Sequence, residues 1–146
     1  APYLEEWGDR MDPGLVACVR YGMQFSAEDY VRARARKLAF WDVVRTFFEG
    51  YDLLLTPSLS VAAFPVGRLN PEHWPQHEWD WIDWASFSYP FNFTGQPAAT
   101  VPAGFTTAGL PVGLQIVGRR HEDLTVLQAS AAFEAARPWA ARRPPV

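Results

Sequence analysis

The chain has 146 residues, 49% of them hydrophobic, and a formal net charge of −3. That length predicts a single domain able to bury roughly 70% of its unfolded surface, enough for one core. The acidic balance excludes a basic field for nucleic acid, and the arginines, scattered among acids, read as a solvated face.

Cys18 is the single cysteine, which rules out an internal disulfide and fits a reducing, cytoplasmic setting. No apolar run is long enough to span a bilayer, so no membrane partner is expected. The opening "APYLEEWGDR" is acidic and lacks the apolar stretch of a signal peptide. A start at Ala1 rather than Met suggests processing or a fragment.

Taken in chain order, the first predicted helix runs from Pro13 to about Gln24, with Asp12 as N-cap and Pro13 at the first helical position. The second is capped by Ser26, with Asp29 as the capping-box acid, and is closed by Gly50. Tyr30, Ala33, Arg34, Lys37, Leu38, Trp41, Val44 and Phe48 recur along it near a 3.6-residue period, giving one apolar and one basic face. "YDLLLTP" reads as a strand ended by Pro57, and its unbroken leucines suggest a parallel strand covered on both faces. Residues 59–78 read as a loop broken by prolines and Gly67. A short helix is predicted from Trp79 to about Ser88, stopped by Pro90. "AATVPAGF" and "PVGLQIVGR" are two further strands joined by a glycine turn. The last helix spans Glu122 to Ala136, with Leu124, Leu127, Ala131 and Phe133 inward. The tail from residue 137 to 146 is proline-rich and predicted to fray.

Three strands and about four helices make an α/β layout with too little sheet. An uncovered edge bearing this much apolar surface invites association, with a second copy (a homo-oligomer) or with a larger whole. The chain reads as an incomplete α/β unit.

The chemistry-bearing residues are few. No G-x-S-x-G elbow occurs among the six serines. Lys37, the only lysine, stands among like charges and reads as solvated rather than as a buried, activated base. His73 and His77 have the i, i+4 spacing of a zinc pair, yet Pro75 between them disfavours a helix there by ~3 kcal/mol. A loop without metal is the better reading. His121 reads as a capping residue of the last helix. The aromatics from Trp74 to Phe93 suit a core or a pocket lining, since no basic residues interleave them to hold single-stranded bases.

"YDLLLTPSLSVAAFPVG" and "FNFTGQPAATVPAGFTTAGLPVGLQIVGRRHEDLTVLQASAAFE" resemble the C-terminal part of an amidase signature family enzyme. The resemblance covers roughly residues 12 to 135. It rests on Asp52, Thr56, Pro57, Asn92, Gly95, Pro97, Ala98, Pro102, Gly104, Pro111, Gly113, Gln115, Gly118 and Arg119 in the family's order. It implies a mixed sheet flanked by helices in an α/β/α fold, of which residues 1 to 146 form one portion. It also implies hydrolysis of amide carbon–nitrogen bonds by a Ser–cis-Ser–Lys set, with backbone N–H groups holding the oxyanion. The family's catalytic serines lie in a Gly-Ser-Ser signature, which this chain lacks along with any second lysine. No catalytic residue, metal ligand or cofactor is therefore assigned to it, and alone it is expected to be inactive. On this reading Phe91 to Phe105 is inner wall, with Asn92 and the glycines setting a turn and Gln115 a buried amide satisfying backbone groups.

The expected partners are a small-molecule amide and the remainder of an amidase chain. In glutamine-specific relatives an acid stands seven residues before the asparagine matching Asn92, and it reads the substrate's ammonium. Here that position is Ala85. If residues 79 to 88 are helical, Trp81, Ala85 and Ser88 share one face and form the substrate-binding wall, suited to an uncharged amide with an apolar or aryl group. Two other readings stay open: a non-catalytic module docking on a partner chain, and an aromatic platform for sugars.

Overall fold

The computed structural model describes residues 2–74 and 83–142, and three helices come first: α1 (Pro2–Trp7), α2 (Pro13–Gly22) and α3 (Ala27–Gly50). The caps stand where the sequence places them. Asp12 accepts from the Leu15 N–H at 3.0 Å. At α3 the capping box is complete: Ser26 Oγ accepts from the Asp29 N–H at 3.1 Å, and Asp29 Oδ2 accepts from the Ser26 N–H at 3.0 Å. Each such cap is worth about 1 kcal/mol, because it satisfies N–H groups that the helix itself cannot. The second cap starts a helix of 24 residues, about 36 Å long at 1.5 Å per residue.

The strands are β1 (Leu53–Pro57), β2 (Ala98–Phe105) and β3 (Pro111–Gly118), with the short α4 (Tyr89–Thr94) before β2 and α5 (Asp123–Ala136) after β3. β3 is central in the order β1-β3-β2, and both neighbours run antiparallel to it. This corrects the parallel strand expected of Leu53–Leu55. An unbroken apolar run reports that both faces are covered, and it says nothing about the neighbour's direction. Leu54 packs with Phe48, Phe91 and Val117 on the α3/α4 side, while Leu53 packs with Val101, Ile116 and Val126 on the α5 side. Ile116 and Val117, fully buried and adjacent in β3, point into these two clusters, each contributing roughly 1.5–3 kcal/mol. Helices thus cover both faces of a sheet only three strands wide, an incomplete α/β/α fold.

Four expectations need correction. Residues 83–85 form a single 3-10 turn followed by further turn, and Pro90 lies in the first turn of α4. The predicted Trp79–Ser88 helix is therefore absent over its described part. Proline starts a helix here because the first turn has no use for its missing N–H. Asn92 is consequently helical, and the turn belongs to Gly95, which caps α4 at φ 76°. In α5 the inward residues are Val126, Ala129 and Phe133, whereas Leu124 and Leu127 are exposed and so is Ala131. The helix carries two apolar stripes, and packing on Ile116 selects one. His121 does not cap α5; it takes the left-handed conformation at φ 69°, and Glu122 occupies the cap position.

Candidate functional site

Residues 113, 115 and 117 of β3 lie on the face toward α3 and α4, and polarity changes along that line. Val117 closes the apolar cluster. One step on, Gln115 is 6% exposed and sits opposite Thr56 on one side and Thr100 on the other. Its Nε2 donates to Thr56 Oγ1 at 2.9 Å and to the Phe87 carbonyl at 3.0 Å. The expected buried amide is present, and it joins two strands to a segment 28 residues away in sequence. A further step along, Gly113 lies against Ser58 and Thr100: a Cβ there would stand 2.6 Å from Ser58 Oγ and 2.7 Å from Thr100 Cγ2. Ser58 Oγ in turn donates to Thr100 Oγ1 at 3.1 Å. Glycine lets the hydroxyl-bearing loop lie directly on the sheet.

The same loop holds the wall. The Ser60 N–H donates to the Trp84 carbonyl at 3.3 Å, Ser60 Oγ and Ser86 Oγ are 2.7 Å apart, and Trp84 Nε1 donates to the Leu69 carbonyl at 3.1 Å. Trp84 also meets Phe64 edge to face, with ring centroids 5.3 Å apart. Between loop 58–64, Trp84 and the strand ends lies an open cleft of about 640 Å³. Ser58, Ser60, Thr100 and Thr106 supply hydroxyls to it, Phe64 and Trp84 apolar surface, and among the described residues none that lines it is charged. Such a cleft can bind a small neutral molecule through apolar contact and a few hydroxyl hydrogen bonds. Among the described residues it contains no nucleophile–base pair.

Of the three predicted substrate residues, Trp81 lies outside the described residues, as does His77 of the weighed metal pair. Ala85 ends the 3-10 turn next to Trp84, and Ser88 folds back on it: its N–H and its Oγ both donate to the Ala85 carbonyl, at 3.0 and 2.8 Å. The two are neighbours through this turn and not through a helical face, and neither lines the cleft itself. Trp84 belongs to the aromatic run read as core or pocket lining, and it lines the cleft; Ser58, Ser60 and Thr100 were not singled out as site residues, although the hydroxyls of "TPSLS" following the strand were a usable signal. Lys37 is exposed, with Nζ 5.6 Å from the Phe93 ring centroid. Among the described residues no hydrogen bond joins it to a serine, and no cluster of three or more His, Cys, Asp or Glu could hold a metal ion.

The remaining motif residues act in the frame. Asp52 and Arg119 form an ion pair at 2.9 Å, and Arg119 Nε donates to the Phe48 carbonyl at 2.8 Å, closing the exit of α3 onto the end of β3. Gly118 admits Val126: a Cβ would stand 2.6 Å from its Cγ2.

An antiparallel three-stranded core between helical layers, carrying a cleft beside the Thr-Pro strand, is a portion of an α/β/α fold. The Amidase family profile matches residues 11–127, and the chain belongs to that family. It is 40% identical over 153 residues to an acylamidase of Rhodococcus erythropolis, covering 97% of this chain and 30% of that protein. It is also 37% identical over 111 residues to one of the subunits of the glutamyl-tRNA(Gln) amidotransferase of Geobacter metallireducens, covering 75% of this chain and 22% of that one. Among solved structures, a bacterial aryl acylamidase of the amidase signature family superposes with a TM-score of 0.73 at 33% identity, over 92% of this chain and 29% of its own. The chain thus spans about 30% of the length of the acylamidases it matches.

Proposed function

We propose that this chain is the C-terminal segment of an amidase that hydrolyses a small, uncharged amide bearing an apolar or aryl group. The segment supplies sheet core and pocket wall, and the rest of the amidase supplies the Ser–cis-Ser–Lys catalyst. One observation carries the substrate class: among the described residues, no charged side chain lines the cleft beside the Trp84–Ser88 wall. A charged substrate group brought there would lose hydration without a partner, at a cost of several kcal/mol.

Trp81, and Ala85 and Ser88 of the turn that borders this cleft without lining it, are the residues proposed to meet the substrate. Ala85 leaves room where glutamine-specific relatives carry an acid, and Trp81 would add apolar surface with one N–H donor. The Gln115 bond to the Phe87 carbonyl and the Ser60–Ser86 contact hold the wall in place, so its geometry is set before substrate arrives. A cytoplasmic location belongs to the same reading, supported by the single free cysteine.

The test is paired kinetics in the complete enzyme. Ala85→Asp is expected to raise the KM for aryl amides about tenfold, because it buries an unpaired carboxylate, and Ala85→Leu to favour smaller amides. Unchanged KM values for aryl and aliphatic amides in both folded variants, or efficient hydrolysis of glutamine by the wild type, would refute the assignment.

A further inference from the structure

The 3.6-residue stripe of α3 divides into two halves. Trp41, Val44 and Phe48 turn toward the sheet, and Val44 and Phe48 join the cluster around Val117. The N-terminal half, from Tyr30 to Leu38, is exposed, Tyr30 at 62% and Leu38 at 63%. It forms one side of an open groove of about 780 Å³, whose other side is the end of α4, Gly95 and Arg120. A stripe that continues a core face without interruption is shaped to pack on something.

The groove's charge indicates what. Arg34, Lys37 and Arg120 all line it, and among the described residues no acidic one does. Nearby carboxylates are engaged elsewhere: Glu28 with Arg32, Asp42 and Glu49 with Arg45, and Asp52 with Arg119. Arg34, Lys37 and Arg120 have no carboxylate partner among the described residues. Two of them lie over aromatic rings, Arg34 at 6.0 Å from the Tyr30 centroid and Lys37 at 5.6 Å from that of Phe93. Arg120 reaches Gly95, where a Cβ would stand 3.6 Å from its Nε. The cations are thus held against the walls, with apolar surface between them and no counter-charge.

We infer that this groove is the seat of an acidic, apolar-flanked segment from the remainder of the amidase chain, with a carboxylate meeting Arg34, Lys37 and Arg120 and apolar side chains covering Tyr30 to Leu38. This rests on the reading of the chain as part of a longer amidase, and the 30% share of its relatives' length leaves ample chain to supply the segment. Covering the groove without an acid would bury three cations unpaired, which is prohibitive.

The test is thiol labelling in a Cys18→Ser background, with Ala33→Cys inside the groove and Ala35→Cys, outside the groove lining, as reference. In the 146-residue chain both variants react with a small maleimide at similar rates. In the complete enzyme Ala33→Cys reacts at least about tenfold more slowly than Ala35→Cys, since a covered thiol is inert. Adding Lys37→Glu, or the milder Lys37→Gln, to Ala33→Cys raises its labelling rate several-fold in the complete enzyme, while Arg36→Glu does not. Equal labelling of the two cysteine variants in the complete enzyme overturns the inference and leaves the substrate proposal standing. Protection that ignores Lys37→Glu refutes the acidic occupant. Protection of Ala33→Cys that rises with concentration in the 146-residue chain assigns the groove to a second copy instead. If the gene encodes nothing longer, both readings fall.

Discussion

Gln115→Met probes the joint between frame and wall while keeping the shape of the side chain. Gln115 is 6% exposed and donates twice, to Thr56 Oγ1 at 2.9 Å and to the Phe87 carbonyl at 3.0 Å. Each lost hydrogen bond removes about 0.5–1.5 kcal/mol net, and a partner left buried without another costs about 1–3 kcal/mol. Thr56 Oγ1 loses a donor but keeps its own hydroxyl bond to the Pro57 carbonyl at 3.0 Å, whereas the Phe87 carbonyl cannot turn without moving the wall. A loss of about 2–4 kcal/mol is therefore expected, read as a lower midpoint with unchanged slope in urea unfolding followed by tryptophan fluorescence. Gln96→Met is the matched comparison. The Gln96 Oε1 is buried with no hydrogen-bond partner among the described residues, so its replacement is expected to fall within about 0.5 kcal/mol of wild type or to stabilise. Equal effects of the two substitutions would refute the claim that the Gln115 amide holds the wall by its hydrogen bonds.

Three more outcomes are expected. Gly118→Ala costs about 1–3 kcal/mol by forcing Val126 out of its seat, whereas Gly104→Ala, with nothing within 4 Å of the new Cβ, stays within about 0.5 kcal/mol in the same unfolding measurement. Hydrogen bonds from the Ser26 hydroxyl and then its N–H hold the Asp29 carboxyl below the ordinary aspartate value of 3.8. Its contribution to α3 is then present above that value and lost as pH falls below it; an acid titration of helical circular dichroism shows this, and Ser26→Ala weakens it, because the Ser26 N–H still donates to Asp29. The 146-residue chain hydrolyses no aryl amide detectably, and turnover abolished by Lys37→Ala would instead promote Lys37 to catalyst.

What the sequence determined by itself is local. Asp12, Ser26 and Asp29 bond to N–H groups three residues away, so the cap and the chain that uses it lie within one window of sequence. The stripe from Tyr30 to Phe48 was legible for the same reason, since helical geometry alone places those residues on one side. The family motif was legible because its prolines and glycines keep their order and identity. Tertiary structure decided the rest. Leu53–Leu55 is equally apolar in a parallel or an antiparallel sheet, and only β3 sets the direction. α5 has two apolar stripes, and contact with Ile116 chooses Val126 over Leu124 and Leu127. Pro90 can end one helix or begin another, and packing of Phe91 against Val117 and Phe48 favours the beginning. The cleft is the extreme case: Ser58, Trp84 and Thr100 have no common period and meet only because the loop, the wall and the central strand close on one another.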